Sequence, residues 1–177
     1  RQAALLKTDP LPLIVMTPKS LLRHTRVASS PRELAEGNWQ PVIDDPRHPQ
    51  EASRLILCSG KIFVDLATAE EGPQTAIAIA RIEQLYPFPQ EEVSNLLESY
   101  PNLREVVWVQ EEPANMGAWD FIRPRLLDLI DSRWPLQYVG RPASSSPAEG
   151  FSAWHTANQT ALIREALQLE TRPEKEG

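Results

Sequence analysis

Hydrophobic positions in this chain fall into short continuous runs and into longer stretches with helical spacing, and the two kinds alternate. Four of the five residues at 54–58 are apolar without alternation, which is typical of a strand buried on both faces. Residues 90–100 place Val93, Leu96 and Leu97 at helical spacing. On these criteria we predict strands at residues 13–16, 54–58, 74–82, 103–109 and 136–139, and helices at residues 61–71, 90–100, 118–134 and 161–169.

The alternation of strands and helices predicts the fold class: α/β, with a mainly parallel sheet and helices on both faces. In such a sheet, ligands and partners meet the carboxyl ends of the strands. Polar residues follow three of the predicted strands, at 58–61, 81–84 and 110–113. We therefore expect the functional edge of the domain at these three segments.

Helix-capping residues and prolines predict the structure of the segments between these elements. Ser30, Pro31 and Glu33 form a helix start with a capping box. Four further segments are predicted: the end of a helix at 1–7, one helical turn at 20–24, a surface loop at 44–51, and either a linker or an ordered loop at 140–147. For the domain organisation, we predict a single domain over residues 1–170 and a disordered tail at 171–177.

The net charge, the hydrophobic runs and the cysteine content exclude several functional classes for this protein. The formal net charge is −6, which argues against a general nucleic-acid role. No apolar run approaches the roughly 20 residues that span a bilayer, and residues 1–7 lack the pattern of a signal peptide. The single cysteine, Cys58, excludes an internal disulfide and fits a reducing compartment. We therefore expect a soluble protein without a membrane or nucleic-acid partner.

Two clusters could bind an anion, and each has a simpler structural explanation. Ser59, Gly60 and Lys61 form a strand-to-helix turn, where free amides and a lysine attract phosphate or carboxylate groups. Gly60 could equally serve only to allow a tight turn. The basic cluster that includes Lys19 and Arg23 could contact a nucleotide phosphate, although such a cluster is usually a solvated face.

Candidate catalytic groups are few. Glu111 and Glu112 are adjacent, and successive residues of a strand point to opposite faces, so they cannot act together on one substrate atom if the strand persists. One of them is expected to cap a helix or pair with an arginine. Cys58 lies in an apolar strand and is expected to be a buried thiol. The three histidines match no metal-ligand spacing, so the sequence shows no complete catalytic constellation.

Five segments together resemble one enzyme family. They are VMTPKSLLR at 15–23, CSGK at 58–61, RIEQLYPFP at 81–89, WVQEEPANMGAW at 108–119 and GRPASSSP at 140–147. In this order and spacing they resemble the C-terminal region of the decarboxylating, first component of 2-oxoglutarate dehydrogenase, from residue 1 to about residue 169. The resemblance implies a transketolase C-terminal-like domain without catalytic residues of its own.

The resemblance also implies cofactors and partners. The full enzyme of the tricarboxylic acid cycle uses thiamine diphosphate and Mg²⁺, both held by other domains, and passes a succinyl group to the lipoyl arm of the succinyltransferase component. The corresponding domain stabilises a homodimer, and in some members it binds an allosteric effector such as acetyl-CoA or AMP. By this resemblance the effector site would use Ser29, Cys58, Lys61, Gln110 and Gly117.

Three hypotheses remain open at this stage. The first is a non-catalytic assembly or regulatory domain of that enzyme, inactive on its own. The second is a free-standing module that binds a nucleotide or an acyl-CoA. The third is a related enzyme specific for 2-oxoadipate or branched substrates. A member of this family is expected in the bacterial cytoplasm or in the mitochondrial matrix.

Overall fold

A computed structural model describes residues 12, 14, 16–69 and 74–168 of this chain. The chain divides into two compact units, residues 1–37 and residues 38–177. The predicted helix end at 1–7 and the predicted tail at 171–177 lie outside the described residues. The prediction of one domain over 1–170 stays a prediction.

The first unit contains short helical segments. The 3₁₀ turn Lys19–Leu21 overlaps the start of the helical turn predicted at 20–24, and a second 3₁₀ turn, Thr25–Val27, follows that segment. Helix α1, Pro31–Glu36, begins with the predicted capping box: the Ser30 side chain accepts from the Glu33 amide at 3.2 Å, and the Glu33 carboxylate accepts from the Ser30 amide at 2.7 Å. Neighbouring side chains thus satisfy amides that have no partner within the helix.

The predicted buried strand at residues 13–16 is wrong at the two of its residues that the structure describes. Ile14 and Met16 belong to no strand, and their exposed fractions are 84% and 90%. The other two positions lie outside the described residues. The hydrophobic pattern identifies a segment that gains from being covered, but it does not specify that strand pairing provides the cover.

The second unit is built on a five-stranded sheet with the order β1-β3-β2-β4-β5. Strands β2 to β5 are parallel to their neighbours, and the short edge strand β1 is antiparallel to β3. The predicted mainly parallel sheet is confirmed. The strands are β1 Val42–Ile43, β2 Arg54–Cys58, β3 Ile77–Ile82, β4 Glu105–Pro113 and β5 Leu136–Arg141.

Helices cover both faces of this sheet. Helices α3, Gln90–Glu98, and α4, Trp119–Ile130, pack on the face that carries Leu55, Leu57 and Trp108. Helices α2, Ile62–Ala67, and α5, Ser152–Ala166, pack on the face that carries Ile56, Cys58 and Val107. Successive residues of β2 therefore enter opposite layers, and this explains why the strand is apolar without alternation.

Several predicted boundaries were wrong: helix α2 ends at Ala67 and not at residue 71, helix α4 ends at Ile130 and not at residue 134, and strand β3 begins at Ile77 and not at residue 74. Helix α5 begins at Ser152, well before the predicted start at residue 161, because residues 151–158 are all exposed and give no apolar periodicity. Strand β4 continues to Pro113 instead of ending at Val109. The continuation carries Gln110 and Glu111 along the strand, past the end of the apolar run.

The predicted surface loop at residues 44–51 contains one buried acid. Asp45 is 4% exposed. Its carboxylate accepts from the Ile79 amide at 3.0 Å and from the Arg47 side chain. The loop is thereby fixed to β3. Among the described residues, no helix combines the length and hydrophobicity that a membrane crossing requires.

Candidate functional site

Two of the three polar segments predicted at strand ends, 58–61 and 110–113, meet at one edge of the sheet, because Lys61 contacts Glu111 there. In the third segment, 81–84, Arg81 pairs with Glu83. We call this edge the carboxyl edge: the ends of β2, β3, β4 and β5 with the loops that follow them. Lys61 follows β2, Glu111 lies near the end of β4, and Arg141 ends β5. Because these strands are parallel, their ends bring the three charged side chains to the same edge.

Lys61 is the lysine of the predicted anion-binding turn. Gly60 makes the turn possible with a φ of +72°, a left-handed conformation that glycine adopts without strain. The Lys61 ammonium contacts the carboxylate of Asp65 and lies 3.4 Å from that of Glu111. Burial alone would lower the pKa of Lys61, but the hydrogen bond that it donates to Asp65 and the negative charge of Glu111 raise the pKa above its usual value. Lys61 is therefore a charged group that is already engaged by two carboxylates.

Gln159 of α5 connects this lysine cluster to β5. Its side-chain nitrogen donates to Asp65 at 2.9 Å and to Glu111 at 3.3 Å. Its side-chain oxygen accepts from the Arg141 guanidinium at 3.0 Å. Gln159 is almost buried, so these hydrogen bonds replace the water that its amide would otherwise bind.

Arg141 holds the loop between β5 and α5. It donates to the Glu111 carbonyl, and its Nε lies 3.4 Å from the Glu149 carboxylate. The pKa of Glu149 is lowered, first by the hydrogen bond from Asn158 and then by the charge of Arg141. Asn115 pairs with both the amide and the carbonyl of Ser144, each at 3.0 Å. Of the two interpretations of residues 140–147, the structure thus supports the ordered loop.

A groove of about 540 Å³ lies between α2 and α5, beside this network. Its wall includes Lys61 and Asp65 from the α2 side and Thr156, Thr160 and Arg164 from α5. The volume lies within the range typical of small-molecule sites. Charges of both signs line it, so the groove is polar without being a simple anion pocket.

Gln110 performs a structural task instead of facing this groove. Its oxygen accepts from the Trp108 indole and from the Trp119 amide, both at 3.0 Å. Its nitrogen donates to the carbonyls of Pro113 and Met116 at 3.2 and 2.8 Å. The side chain is 3% exposed, and both of its polar atoms are occupied.

Gly117 belongs to the same turn. Its φ is +68°, and a Cβ built there would lie 3.0 Å from the Gln110 side-chain nitrogen. Glycine is therefore required both by the backbone conformation and by the space. The structure thus brings Gln110 and Gly117 together as the support for the start of α4.

The two other predicted effector residues are Cys58 and Ser29. Cys58 is fully buried, burial raises the pKa of its thiol to about 12, and its sulfur lies 3.7 Å from the Ala80 carbonyl. This confirms the predicted buried thiol. Ser29 is an exposed residue of the first unit, just before α1. The effector site of five residues stays a prediction. Of these five residues, Lys61 lines the groove.

The adjacent carboxylates behave as the strand geometry requires. Strand β4 persists through Glu111 and Glu112; Glu111 turns towards Lys61, and Glu112 is exposed. Glu111 pairs with a lysine, whereas we expected one of the two glutamates to cap a helix or to pair with an arginine. Among the described residues, no group of three or more His, Cys, Asp or Glu side chains could hold a metal ion.

Sequence reasoning missed Arg141 and Gln159 as members of this network. Arg141 lies within the GRPASSSP segment, so the motif was visible although its role was not. Gln159 gave no signal, because its burial depends on how α5 packs against the sheet. A buried glutamine that joins two charged clusters is evident only in three dimensions.

The family is decided by comparison with known proteins. A family profile described as "2-oxoglutarate dehydrogenase C-terminal" matches residues 28–167, most of the chain. The chain belongs to this family. The resemblance stated from the five segments is thereby confirmed.

Two bacterial relatives support this assignment. The "2-oxoglutarate dehydrogenase E1 component" of Shouchella clausii is 44% identical over 174 residues, which are 94% of this chain and 18% of that protein. The protein of the same name from an Exiguobacterium species is 44% identical over 177 residues, 96% of this chain and 19% of that protein. The chain therefore spans less than a fifth of the length of these relatives.

A solved structure described as "Split gene transketolase, inactive beta4 tetramer" also aligns with the chain. The alignment has a TM-score of 0.41 and 16% identity, and it covers 68% of this chain and 41% of that one. A likeness of this extent carries no argument about the chain. The α/β fold is established by the sheet and helices described above.

Proposed function

We propose that this chain is the C-terminal domain of a 2-oxoglutarate dehydrogenase E1 component and that it acts in assembly without supplying catalytic groups. The complete enzyme would decarboxylate 2-oxoglutarate with thiamine diphosphate and Mg²⁺, and would pass the succinyl group to the lipoyl arm of its succinyltransferase partner. The observation that carries the proposal is the family match over residues 28–167.

The carboxyl edge supports a non-catalytic role. A general acid, base or nucleophile must reach the substrate with the group that reacts. The Lys61 ammonium and the Glu111 carboxylate instead pair with each other, and the Gln159 side chain also donates to that carboxylate. Cys58 is buried as a neutral thiol. We assign no step of the reaction to these residues.

Large exposed apolar side chains support a role in assembly. In the second unit, Tyr86, Phe151 and Trp154 are exposed by 82%, 64% and 65%. Exposed aromatic residues are typical of surfaces that contact another protein or domain. In this proposal the covering surfaces belong to the other domains of E1 and to the second subunit of a homodimer.

A deletion experiment tests this function. The complete E1 polypeptide and a form that lacks the sequence of this chain would be compared by mass photometry and by 2-oxoglutarate-dependent reduction of an artificial electron acceptor. We expect the truncated form to lose both its dimer and its activity. If a truncated E1 remained dimeric and active, the assembly role would be wrong.

Regulation forms a second, separate proposal. We propose that the groove between α2 and α5 accepts an anionic effector such as acetyl-CoA or AMP. The proposal is supported by the volume of the groove, about 540 Å³, and by the Lys61 ammonium in its wall. Such a ligand would have to compete with Asp65 and Glu111 for that ammonium.

Calorimetric titration of the chain with acetyl-CoA and with AMP tests the regulatory proposal. We expect saturable heat that Lys61→Ala abolishes, because the substitution removes the cation. Lys19→Ala, in the first unit, is the matched control and should bind like the wild type. Absence of binding by the folded wild type, or binding unchanged in Lys61→Ala, would contradict the proposal.

A further inference from the structure

The first half of helix α5 lacks a covering layer in this structure. Residues 151–158 are all exposed, whereas the second half of the helix buries Gln159, Leu162 and Ala166. The rings of Phe151 and Trp154 contact each other edge to face, with centroids 5.2 Å apart. The helix therefore continues beyond its own core contacts and presents an aromatic pair to its surroundings.

This half of the helix also lacks the charges of a solvated surface. Asp, Glu, Lys and Arg make up 24% of the chain, yet none of them lies between Glu149 and Arg164, where His155 lies 3.2 Å from the Glu149 carboxylate. Trp154 and Ala157 lie on one face of the helix at three-residue spacing, and the ring of Phe151, the N-cap residue, contacts that of Trp154. We call these three residues the aromatic face. Aromatic enrichment with depletion of charge is typical of the core of a protein interface.

The size of the aromatic face indicates what covers it. A Phe or Trp side chain offers roughly 150–250 Å², so two-thirds exposure of both leaves on the order of 250 Å². A stable contact between separate molecules buries about 800 Å² on each partner. The face is too small to hold a second copy by itself. A covalently connected domain can cover it, since the connection gives a high effective concentration.

The relatives provide such a connected polypeptide. The matched region is 18% of the Shouchella clausii protein and 19% of the Exiguobacterium protein, so about four fifths of each lies outside the match. We propose that the aromatic face packs against the part of the E1 polypeptide outside this chain. The inference rests on the proposed function, and it names the surface through which the domain is held.

Hydroxyl-radical footprinting read by mass spectrometry tests this contact. Oxidation of Trp154 would be measured in the complete E1 and in this 177-residue chain, each after its fold has been checked by circular dichroism. We expect Trp154 to be oxidised at least about fivefold more slowly in E1, because a residue at an interface core is almost fully buried. The double variant Phe151→Ser and Trp154→Ser should lower the melting temperature of E1, and Leu127→Ser on α4 is the matched control at an exposed apolar position.

Three outcomes would overturn the inference. The first is equal oxidation of Trp154 in E1 and in the chain. The second is protection in the chain alone that increases with its concentration, which would identify a second copy as the occupant. The third is a double variant that affects E1 no more than Leu127→Ser does. The deletion experiment is independent of this test. If the truncated E1 loses its dimer while Trp154 is unprotected in the complete E1, the assembly role holds and the proposed contact of the aromatic face is wrong.

Discussion

The side-chain oxygen of Gln110 accepts the backbone N–H of Trp119 at 3.0 Å, so a residue of strand β4 satisfies the first turn of helix α4. The same oxygen accepts the Trp108 indole N–H. The turn between β4 and α4 is therefore built around one buried amide. This relationship explains why a polar residue continues an apolar strand without breaking it.

Replacement of Gln110 by alanine should destabilise the second unit by at least about 2 kcal/mol, because buried donors and acceptors lose their partners. Urea unfolding measures this loss. Gln137→Ala, at an exposed position of β5, is the matched control and should change the free energy of unfolding by less than about 0.5 kcal/mol. Equal stability of the two variants would show that the Gln110 hydrogen bonds contribute little.

Three glycines give a graded test of backbone conformation. Gly150→Ala should be neutral or slightly stabilising, because its Cβ meets open space at an ordinary φ. Gly60→Ala should cost about 1–2 kcal/mol, since only the positive φ is strained. Gly117→Ala should cost at least about 1 kcal/mol more, because its Cβ would also crowd Gln110 and Glu112. Urea unfolding measures the free energy of unfolding of each variant. Any other order of the three losses would show that positive φ and Cβ crowding do not determine them.

The Cys58 thiol should be inert in the folded protein. Burial raises its pKa to about 12, so at pH 8 about one thiol in ten thousand is a thiolate. Reaction with a disulfide reagent should be very slow in buffer and immediate in concentrated guanidinium. Rapid, stoichiometric labelling under native conditions would show that Cys58 is accessible, as a direct effector ligand would need to be.

Asp45 should make the stability depend on acidic pH. Burial opposes ionisation, but hydrogen bonds from Arg47 and the Ile79 amide hold the pKa of Asp45 below its usual value. Its contribution is therefore complete above the unfolded-state pKa, and it is lost as the pH falls through the folded-state pKa. The difference in unfolding free energy between the wild type and Asp45→Asn should shrink between pH 6 and pH 3. A difference that grows over this range would contradict a lowered pKa for Asp45 in the folded state.

The central sheet was predictable because Leu55, Ile56 and Leu57 are buried from both sides and leave a continuous apolar run. Strand β1 was not, since two half-buried residues give no pattern. In the site, parallel strands predicted that Lys61 and Glu111 share an edge, and the 3.4 Å contact confirms this.

The structural roles of Gln110 and Gln159 could not be predicted from the sequence. A glutamine has the same hydrophilic character whether its amide binds water or buried backbone groups. Only the packing of α4 and α5 determines which of these it does. The resemblance drew attention to Gln110 as a binding residue, whereas its hydrogen bonds give it a structural task.

The central claim is that this chain contributes to a 2-oxoglutarate dehydrogenase without carrying out its chemistry. The most direct test measures CO₂ release from labelled 2-oxoglutarate by the purified chain with thiamine diphosphate and Mg²⁺, beside the complete E1. We expect release by E1 and no release above the blank by the folded chain. Decarboxylation by the chain alone, proportional to its concentration, would contradict the claim.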